Sequence, residues 1–343
     1  MKNYSVAVAG ATGAVGREMI RMLKELDFPV GELFLLASFR SRGKKLKFGN
    51  KEIEVAELSK EWIEKNRVDI VLMSAGGGIS KEYAPLFKAK KTYVIDNSSA
   101  WRMDKDVPLV VPEINPQTLK KGSYIIANPN CSTIQMVHAL APVHRISKII
   151  RVVVTTFQAV SGAGQKAINE LKDQTKKIVD GNFAEIELPR KNFSAFPAQI
   201  AFNCIPQIDV FLENDYTREE IKMVNETKKI LGDEISVTAT CVRVPVFRGH
   251  SEAVNIELEK ELPVELLREV LAKETNISVV DDVLNLKYPM PLPASGKFET
   301  FVGRIRRDET RPNCYWLWVV SDNLLKGAAL NAVQIAKELI KII

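Results

Sequence analysis

Val6-Ala7-Val8-Ala9-Gly10-Ala11-Thr12-Gly13-Ala14-Val15-Gly16-Arg17-Glu18 sets an apolar strand, a turn with glycines spaced G-x-x-G-x-x-G, and a helix start in immediate succession. The glycines have separate physical tasks. One permits a tight turn, one lets backbone N–H groups approach a pyrophosphate, and one allows the helix to pack closely on the strand. Working outward, residues 4–9 read as the strand, and Val15, Met19, Met22, Leu23 and Leu26 recur at helical spacing over 13–26. A second strand is expected at 33–37, and the apolar runs at 68–74 and 93–96 suit strands buried on both faces. This alternation predicts a parallel sheet wrapped by helices, with ligands at the carboxyl ends of its strands. Gly76-Gly77-Gly78 and Asn97-Ser98-Ser99 are therefore candidate ligand loops, and Gly10, Thr12, Gly13, Ala14, Val15, Gly16 and Gly76 candidate cofactor contacts.

The end of the second strand decides the cofactor. An acid there would accept hydrogen bonds from a ribose 2′-hydroxyl. Leu36-Ala37-Ser38-Phe39-Arg40-Ser41-Arg42 offers hydroxyls and guanidiniums instead, groups suited to a 2′-phosphate, with Ser38, Arg40 and Ser41 in the leading positions. NADP is expected over NAD.

At 343 residues the chain suits two domains. Its 46% hydrophobic and 26% charged content is ordinary for a globular protein, and no segment approaches the ~18 apolar residues of a membrane span. The first residues lack the long apolar region of a secretory signal, so the cytoplasm is the expected compartment and no membrane partner is expected. The net charge of +6 is spread along the chain. Its densest patch, over residues 40–47, lacks the interleaved aromatics of a nucleic-acid reader, so none is expected as partner. Cys131, Cys204, Cys241 and Cys314 are scattered without a C-x-x-C pair, which argues against a zinc site and a disulfide framework. No metal is expected.

From Arg151 the texture changes. An apolar run at 152–157 precedes a helix at 165–179 closed by Gly181; strands follow at 236–246, 251–258 and 315–320, which suggests a mixed or antiparallel sheet. Asn323 then opens a closing helix over 324–343, expected to return to the first domain. The boundaries are 1–130 plus 324–343 for the nucleotide-binding domain and 131–323 for a catalytic and dimerisation domain.

In Ile125-Ile126-Ala127-Asn128-Pro129-Asn130-Cys131-Ser132-Thr133 an apolar strand ends and a helix begins at the thiol. Unpaired N–H groups and the positive end of a helix dipole would favour thiolate there, although a buried structural cysteine is the competing reading. Among the three histidines, His138 lies about 10.5 Å along the same helix, too far for a hydrogen bond to Cys131. His250 is a tertiary question. Arg243 and His250 are an odd number apart, so Pro245 or Gly249 must bend or end a strand that carried both.

Gly10-Ala11-Thr12-Gly13-Ala14-Val15-Gly16, Ser99-Ala100-Trp101-Arg102-Met103, Asn128-Pro129-Asn130-Cys131-Ser132-Thr133, Arg243-Val244-Pro245-Val246-Phe247-Arg248-Gly249-His250 and Asp322-Asn323-Leu324-Leu325-Lys326-Gly327-Ala328-Ala329 occur in this order. Over nearly its full length the chain resembles the aspartate-β-semialdehyde dehydrogenase family. The resemblance implies an α/β fold: a Rossmann-like dinucleotide-binding domain with a second α+β domain of the glyceraldehyde-phosphate-dehydrogenase-like type. It also implies NADPH-dependent reduction of L-β-aspartyl phosphate to aspartate semialdehyde and phosphate, on the route to lysine, threonine, methionine and diaminopimelate.

On this resemblance Cys131 is the nucleophile that forms a thioester and His250 the acid/base. The N–H of Cys131 and the side chain of Asn130 face the oxyanion, and Gln158 orients the acyl group. Arg243 grips the substrate carboxylate, Glu219 receives the amine, and Arg102 and Lys222 hold phosphate. Glu219 and Lys222 share a helix face, with an ordinary surface ion pair as the competing reading, and sequence alone does not choose Glu219 over Glu220. Ser161 and Gly162 match a loop near the cofactor. Asn323 either caps the last helix or bonds the nicotinamide amide. Segment 196–206 matches a subunit contact, so a homodimer is expected, with a tetramer open. The rivals are an N-acetylglutamyl-phosphate reductase, a glyceraldehyde-phosphate dehydrogenase and an NADP-sensing regulator without catalysis. An acid at Glu219 favours an unacetylated amine.

Overall fold

A computed structural model describes residues 2–181 and 193–343. The chain divides into two units, Met1–Asn130 with Gly327–Ile343, and Cys131–Lys326.

In the first unit the alternation of apolar runs and amphipathic stretches produces β1 (Tyr4–Ala9), α1 (Ala14–Glu25), β2 (Val30–Ala37), β3 (Lys45–Phe48), β4 (Lys51–Glu57), α2 (Lys60–Lys65), β5 (Ile70–Met73), α3 (Gly77–Ala89), β6 (Tyr93–Asp96) and β7 (Ile125–Ala127). They form one sheet in the order β3-β4-β2-β1-β5-β6-β7, parallel except for the β3/β4 pair. Every residue of β5 and β6 is buried, as their unbroken apolar runs require. One expectation is corrected here. The second strand starts at Val30, three residues early, because Val30 and Gly31 lie on the half-open end of the β1 pairing. The basic stretch at 40–47 contains an edge strand, in which Leu46 turns inward while Lys45 and Lys47 face solvent.

The second unit contains α4 (Cys131–Ile146), β8 (Ile149–Gln158), α5 (Gln165–Val179), α6 (Arg218–Leu231), β9 (Ser236–Arg243), β10 (His250–Leu258), α7 (Val264–Ala272), β11 (Ile277–Val279), a short α8 (Pro291–Ala294), β12 (Thr300–Arg307) and β13 (Cys314–Ser321). Its sheet, β11-β12-β13-β10-β8-β9, mixes parallel and antiparallel pairs. One face carries the core: Val152, Val154, Val254, Ile256, Leu317 and Val319 pack with Met136, Leu140 and Val143 of α4, Met223 of α6 and Leu267 of α7. Each such side chain contributes roughly 1.5–3 kcal/mol by leaving water. The opposite face, with Val153, Phe157, Trp316 and Trp318, is only half-buried.

The expected strand 236–246 stops at Arg243. Pro245 has no N–H to extend a ladder, and the chain turns so that Val246 and Phe247 offer their carbonyls to Val160 and Ser161. Arg243 and His250 thus belong to different strands with β8 between them, and the parity conflict disappears. The closing helix is also revised: a π-helical turn, Leu325–Ala329, precedes an α-helix at Leu330–Leu339. That helix is part of the first unit, where Lys337 donates to the Leu26 carbonyl at 3.0 Å.

Candidate active site

At the carboxyl ends of β1, β2 and β5 the first unit holds a cavity of about 440 Å³, lined by Gly10, Thr12, Gly13, Ser38, Phe39, Glu57, Ser74, Ile79 and Tyr83 among others. Gly10 takes φ +83°, and a Cβ there would lie 2.3 Å from the Ser74 carbonyl oxygen. A Cβ at Gly16 would lie 2.2 Å from the Gly10 carbonyl oxygen. Only hydrogen fits at either position, so the turn keeps its backbone close to whatever enters the cavity. Gly13 precedes α1, whose first turn contains Ala14 and Val15, with N–H groups unsatisfied by the helix itself.

Thr12 Oγ1 donates to Ser41 Oγ at 3.3 Å and ties the turn to the end of β2. Ser38 and Arg40 are exposed beside it, Arg40 within the tight turn Phe39–Ser41. Gly76, at φ +90°, leads from β5 into α3 with open space around it. The donor set fits a dinucleotide phosphate. One acid does line the cavity, Glu57 at the end of β4, a strand that a search confined to β2 passes over.

Arg102 is also in the first unit and is buried, its Nε donating to the Asn128 carbonyl and its Nη2 to that of Asn97, each at 2.9 Å. Beside it burial raises the carboxyl pKa of Asp96, against the lowering effect of Ser98, Ser80 and Arg102.

In the second unit Cys131 opens α4, directly after the buried Asn130, and its Sγ stands 3.2 Å from His250 Nε2. The other ring nitrogen, Nδ1, accepts the Ala159 N–H at 3.0 Å. A donor already aimed at Nδ1 leaves the neutral ring's proton on Nε2, so the imidazole donates toward sulfur. Burial, helped by the positive charge of Arg243, drives the His250 pKa well below its usual value. A neutral N–H, the first turn of a helix and a nearby guanidinium all favour a thiolate at Cys131.

Arg243, at the end of β9, donates from Nη1 to the Ala159 carbonyl at 2.7 Å and lies over the Phe196 ring. Its burial lowers its pKa, opposed by Glu219 and Cys131, but a guanidinium keeps its proton. Gly162 explains its own identity: a Cβ there would press on Arg243 Nη1 at 3.1 Å and on the His250 ring at 3.4 Å. Gln158 Nε2 donates to Glu219 Oε1 at 3.1 Å, and Glu219 Oε2 accepts from Lys222 Nζ at 3.3 Å. Lys222 also donates to Asp209 at 2.8 Å. Burial pulls the Lys222 pKa down, but Glu219 and Asp209 outweigh it and the net shift is upward; burial acts upward on Asp209, and Lys222 reverses it.

The pair Glu219 and Glu220 is separated by geometry. Glu220 forms a capping box with Thr217 and accepts the Cys241 N–H at 2.9 Å, a structural task that leaves Glu219 to face Gln158 and Lys222. Asn323 does not cap the last helix, which corrects that reading. Asp322 Oδ1 accepts the Leu324 and Leu325 N–H groups, while Asn323 exchanges hydrogen bonds with Ser161 and accepts the Gly249 N–H. Asp is as good a cap as Asn, so the neighbouring residue was the competitor to weigh. His138 bonds to Thr300 and Thr275, and His144 accepts the Ile149 N–H, so both are tied into the second unit's framework. Ala159 and Asp209 carry no sequence motif and were missed; Asp322 opens a quoted motif, yet no role was assigned to it. Among the described residues no group of three or more His, Cys, Asp or Glu side chains is placed to hold a metal ion.

Residues 5–122 match the model of the semialdehyde dehydrogenase NAD-binding domain, and 140–326 that of the semialdehyde dehydrogenase dimerisation domain. The chain is 56% identical over 341 residues to the aspartate-semialdehyde dehydrogenase of Aquifex aeolicus, covering 98% of each. To that of Bacillus subtilis it is 50% identical over 343 residues, covering 99% of each. Among solved structures it superposes on aspartate semialdehyde dehydrogenase II from Vibrio cholerae, in a form complexed with ASA, with a TM-score of 0.92 at 46% identity and 99% coverage of both chains. The Candida albicans enzyme with NADP matches at TM-score 0.73 and 26% identity, again over 99% of both.

Proposed function

The chain belongs to the aspartate-semialdehyde dehydrogenase family, and from that premise we propose that it reduces L-β-aspartyl phosphate to L-aspartate 4-semialdehyde and phosphate, and runs the reverse reaction, with NADP as cofactor. The observation that carries this reading is the thiol of Cys131 at a helix start, 3.2 Å from a buried imidazole that donates toward it.

Cys131 Sγ attacks the acyl carbon, the C–O bond to phosphate breaks, and the acyl group rests on sulfur as a thioester. Arg102 and Lys222 receive the phosphate, and Arg243 binds the α-carboxylate through a fork that a lysine would not reproduce. Glu219 accepts the substrate ammonium; Gln158, already bonded to Glu219, orients the acyl group. NADPH, when bound, supplies the hydride that converts the thioester carbonyl to an aldehyde. The Cys131 N–H, the Asn130 side chain and the Nε2–H of His250 stabilise the oxyanion, and sulfur leaves as thiolate. Because Nδ1 is engaged by Ala159, His250 works chiefly as a neutral donor to sulfur and oxyanion.

The first unit is the NADP-binding domain, held by the turn from Gly10 to Gly16, by Ser38, Arg40 and Ser41 at the 2′-phosphate, and by Gly76. Ser161, Gly162 and Asn323 serve the nicotinamide end. The second is the catalytic and dimerisation domain. A cytoplasmic homodimer is the assembly proposed, supported by the match of 140–326 to a dimerisation domain and by the half-buried aromatic face of its sheet. Among the described residues no helix is long and apolar enough to cross a membrane.

The test supplies aspartate semialdehyde, phosphate and NADP and follows NADPH. Phosphate-dependent formation, abolished in Cys131→Ala and greatly slowed in His250→Asn, is the expected result. Turnover of N-acetylglutamate semialdehyde in its place would overturn the substrate assignment, and full activity in both variants would overturn the roles.

A further inference from the structure

Arg243 is buried at the end of β9, and the chain from Ser194 to Ile205 meets it at both ends. At one end Ile205 and Arg243 exchange backbone hydrogen bonds at 2.9 and 2.8 Å. At the other the guanidinium carbon of Arg243 stands over the Phe196 ring, 5.9 Å from its centroid. Two buried polar side chains one turn apart on α5 fix the stretch between. Glu170 Oε2 accepts the Ser194 N–H, the Ser194 hydroxyl and the Ala195 N–H at 2.7, 2.7 and 2.6 Å. Gln174 Oε1 accepts the Ile200 and Ala201 N–H groups at 2.9 and 3.0 Å, and its Nε2 donates to Glu170 Oε1 at 3.2 Å. Phe196 also packs with the cluster of Val160, Ala167 and Leu171. Neither Phe196 nor the α5 pair has a part in the chemistry set out above. A buried guanidinium needs compensation for the water it has lost, but a carboxylate placed on it would compete with the substrate carboxylate for the same fork. An aromatic face compensates the charge and takes no N–H.

We propose that Phe196 is a positioning residue for carboxylate recognition: its ring, set in place by Glu170 and Gln174, steadies the Arg243 guanidinium and leaves its donors for the α-carboxylate of the substrate. This role rests on the assignment of Arg243 made above. Nη1 is tied to the Ala159 carbonyl at 2.7 Å, and the ring supplies the second restraint that a long side chain needs to hold one geometry. Phe196 acts through Arg243 alone, so its influence falls on the end of the substrate that carries the carboxylate and not on the thiol or the phosphate. The carboxylate is gripped equally before and during reaction, so the effect belongs in KM and not in kcat.

The full-length protein provides the test, with aspartate semialdehyde compared against 3-aminopropanal, the same aldehyde without its α-carboxylate. Phe196→Leu, which keeps an apolar cover without a π face, should raise KM for aspartate semialdehyde about fivefold with kcat within about twofold. KM for phosphate and kcat/KM for 3-aminopropanal should not change. Phe196→Tyr restores the ring and should restore KM. Glu170→Leu removes the acceptor of the Ser194 and Ala195 N–H groups and should reproduce Phe196→Leu; if it does not fold, the two Phe196 variants decide. Protection of Cys131 from iodoacetamide by L-aspartate needs no turnover, and the half-protecting concentration should rise about fivefold in Phe196→Leu but not in Phe196→Tyr. Unchanged KM and protection in Phe196→Leu, equal losses on both aldehydes, or a loss in Phe196→Tyr equal to that in Phe196→Leu would each overturn the proposal. A wild type that shows the protection, with its shift in Phe196→Leu, yet does not turn over aspartate semialdehyde would overturn the function and support this role, so the two failures are separable.

Discussion

The nucleotide cradle of the first unit is backbone from one short run, Gly10 to Gly16, while the thiol site of the second assembles side chains from α4, β8, α6, β9 and β10. In the cradle the constraint is steric. Chain atoms stand where a Cβ would be, and few functional groups are needed. In the thiol site the constraint is electrostatic and cooperative: Ala159 fixes the tautomer of His250 with its N–H and anchors Arg243 with its carbonyl. One residue without a functional side chain organises both. Backbone geometry is therefore the common support of two sites that differ in everything else.

Substitutions that separate the two regions sharpen this contrast. The largest effect is expected from Cys131→Ala, which should lower kcat by about 10⁴-fold or more while NADPH affinity, read by fluorescence titration, stays within about twofold. A matching loss of cofactor affinity would show that the regions are not independent. Gly10→Ala should do the reverse. A left-handed backbone and the 2.3 Å approach to Ser74 predict a loss of about 1–3 kcal/mol in urea unfolding and weakened NADPH binding, with Cys131 alkylation unaltered. Within the cradle, Arg40→Ala should weaken NADPH about tenfold and leave NADH unchanged, since only the former carries the 2′-phosphate. Equal losses for both cofactors would reassign Arg40.

The smallest effect is one of pH on stability. The folded-state pKa of His250 lies well below that of the unfolded chain, so the unfolded chain takes up a proton that the native ring refuses. Stability should fall as pH drops through about 6.5, by at most ~1.4 kcal/mol per pH unit from this group. His250→Asn should lack that component in urea titrations at pH 7 and pH 5. Identical pH slopes would mean that the native ring takes up its proton over the same pH range as the unfolded chain.

Local features were readable in advance, and features that depend on a distant partner were not. The glycine turn and the thiol at a helix start follow from adjacent residues. Glu219 was not told from Glu220, although Thr217-x-x-Glu220 is the local spacing of a capping box; only the second task of Glu220, accepting the Cys241 N–H, depends on β9 passing beside it. The parity puzzle of Arg243 and His250 arose from joining two strands that Pro245 keeps apart. Asn323 was weighed as a cap while Asp322, one residue earlier, held that position. Glu252, wholly buried on β10, shares the period-2 face of Val254, Ile256 and Leu258, so alternation alone already turned this acid inward, a signal that went unread. Only the sheet order, which brings α4 over β10, encloses it.

The central claim is that Cys131 carries the acyl group. Mixing the enzyme with aspartate semialdehyde and NADP in the absence of phosphate tests it most directly, by rapid measurement of NADPH followed by peptide mass analysis. The account predicts a burst approaching one NADPH per subunit and an aspartyl adduct on Cys131 that added phosphate discharges. No burst, or an adduct on Cys204, Cys241 or Cys314 in its place, would contradict it.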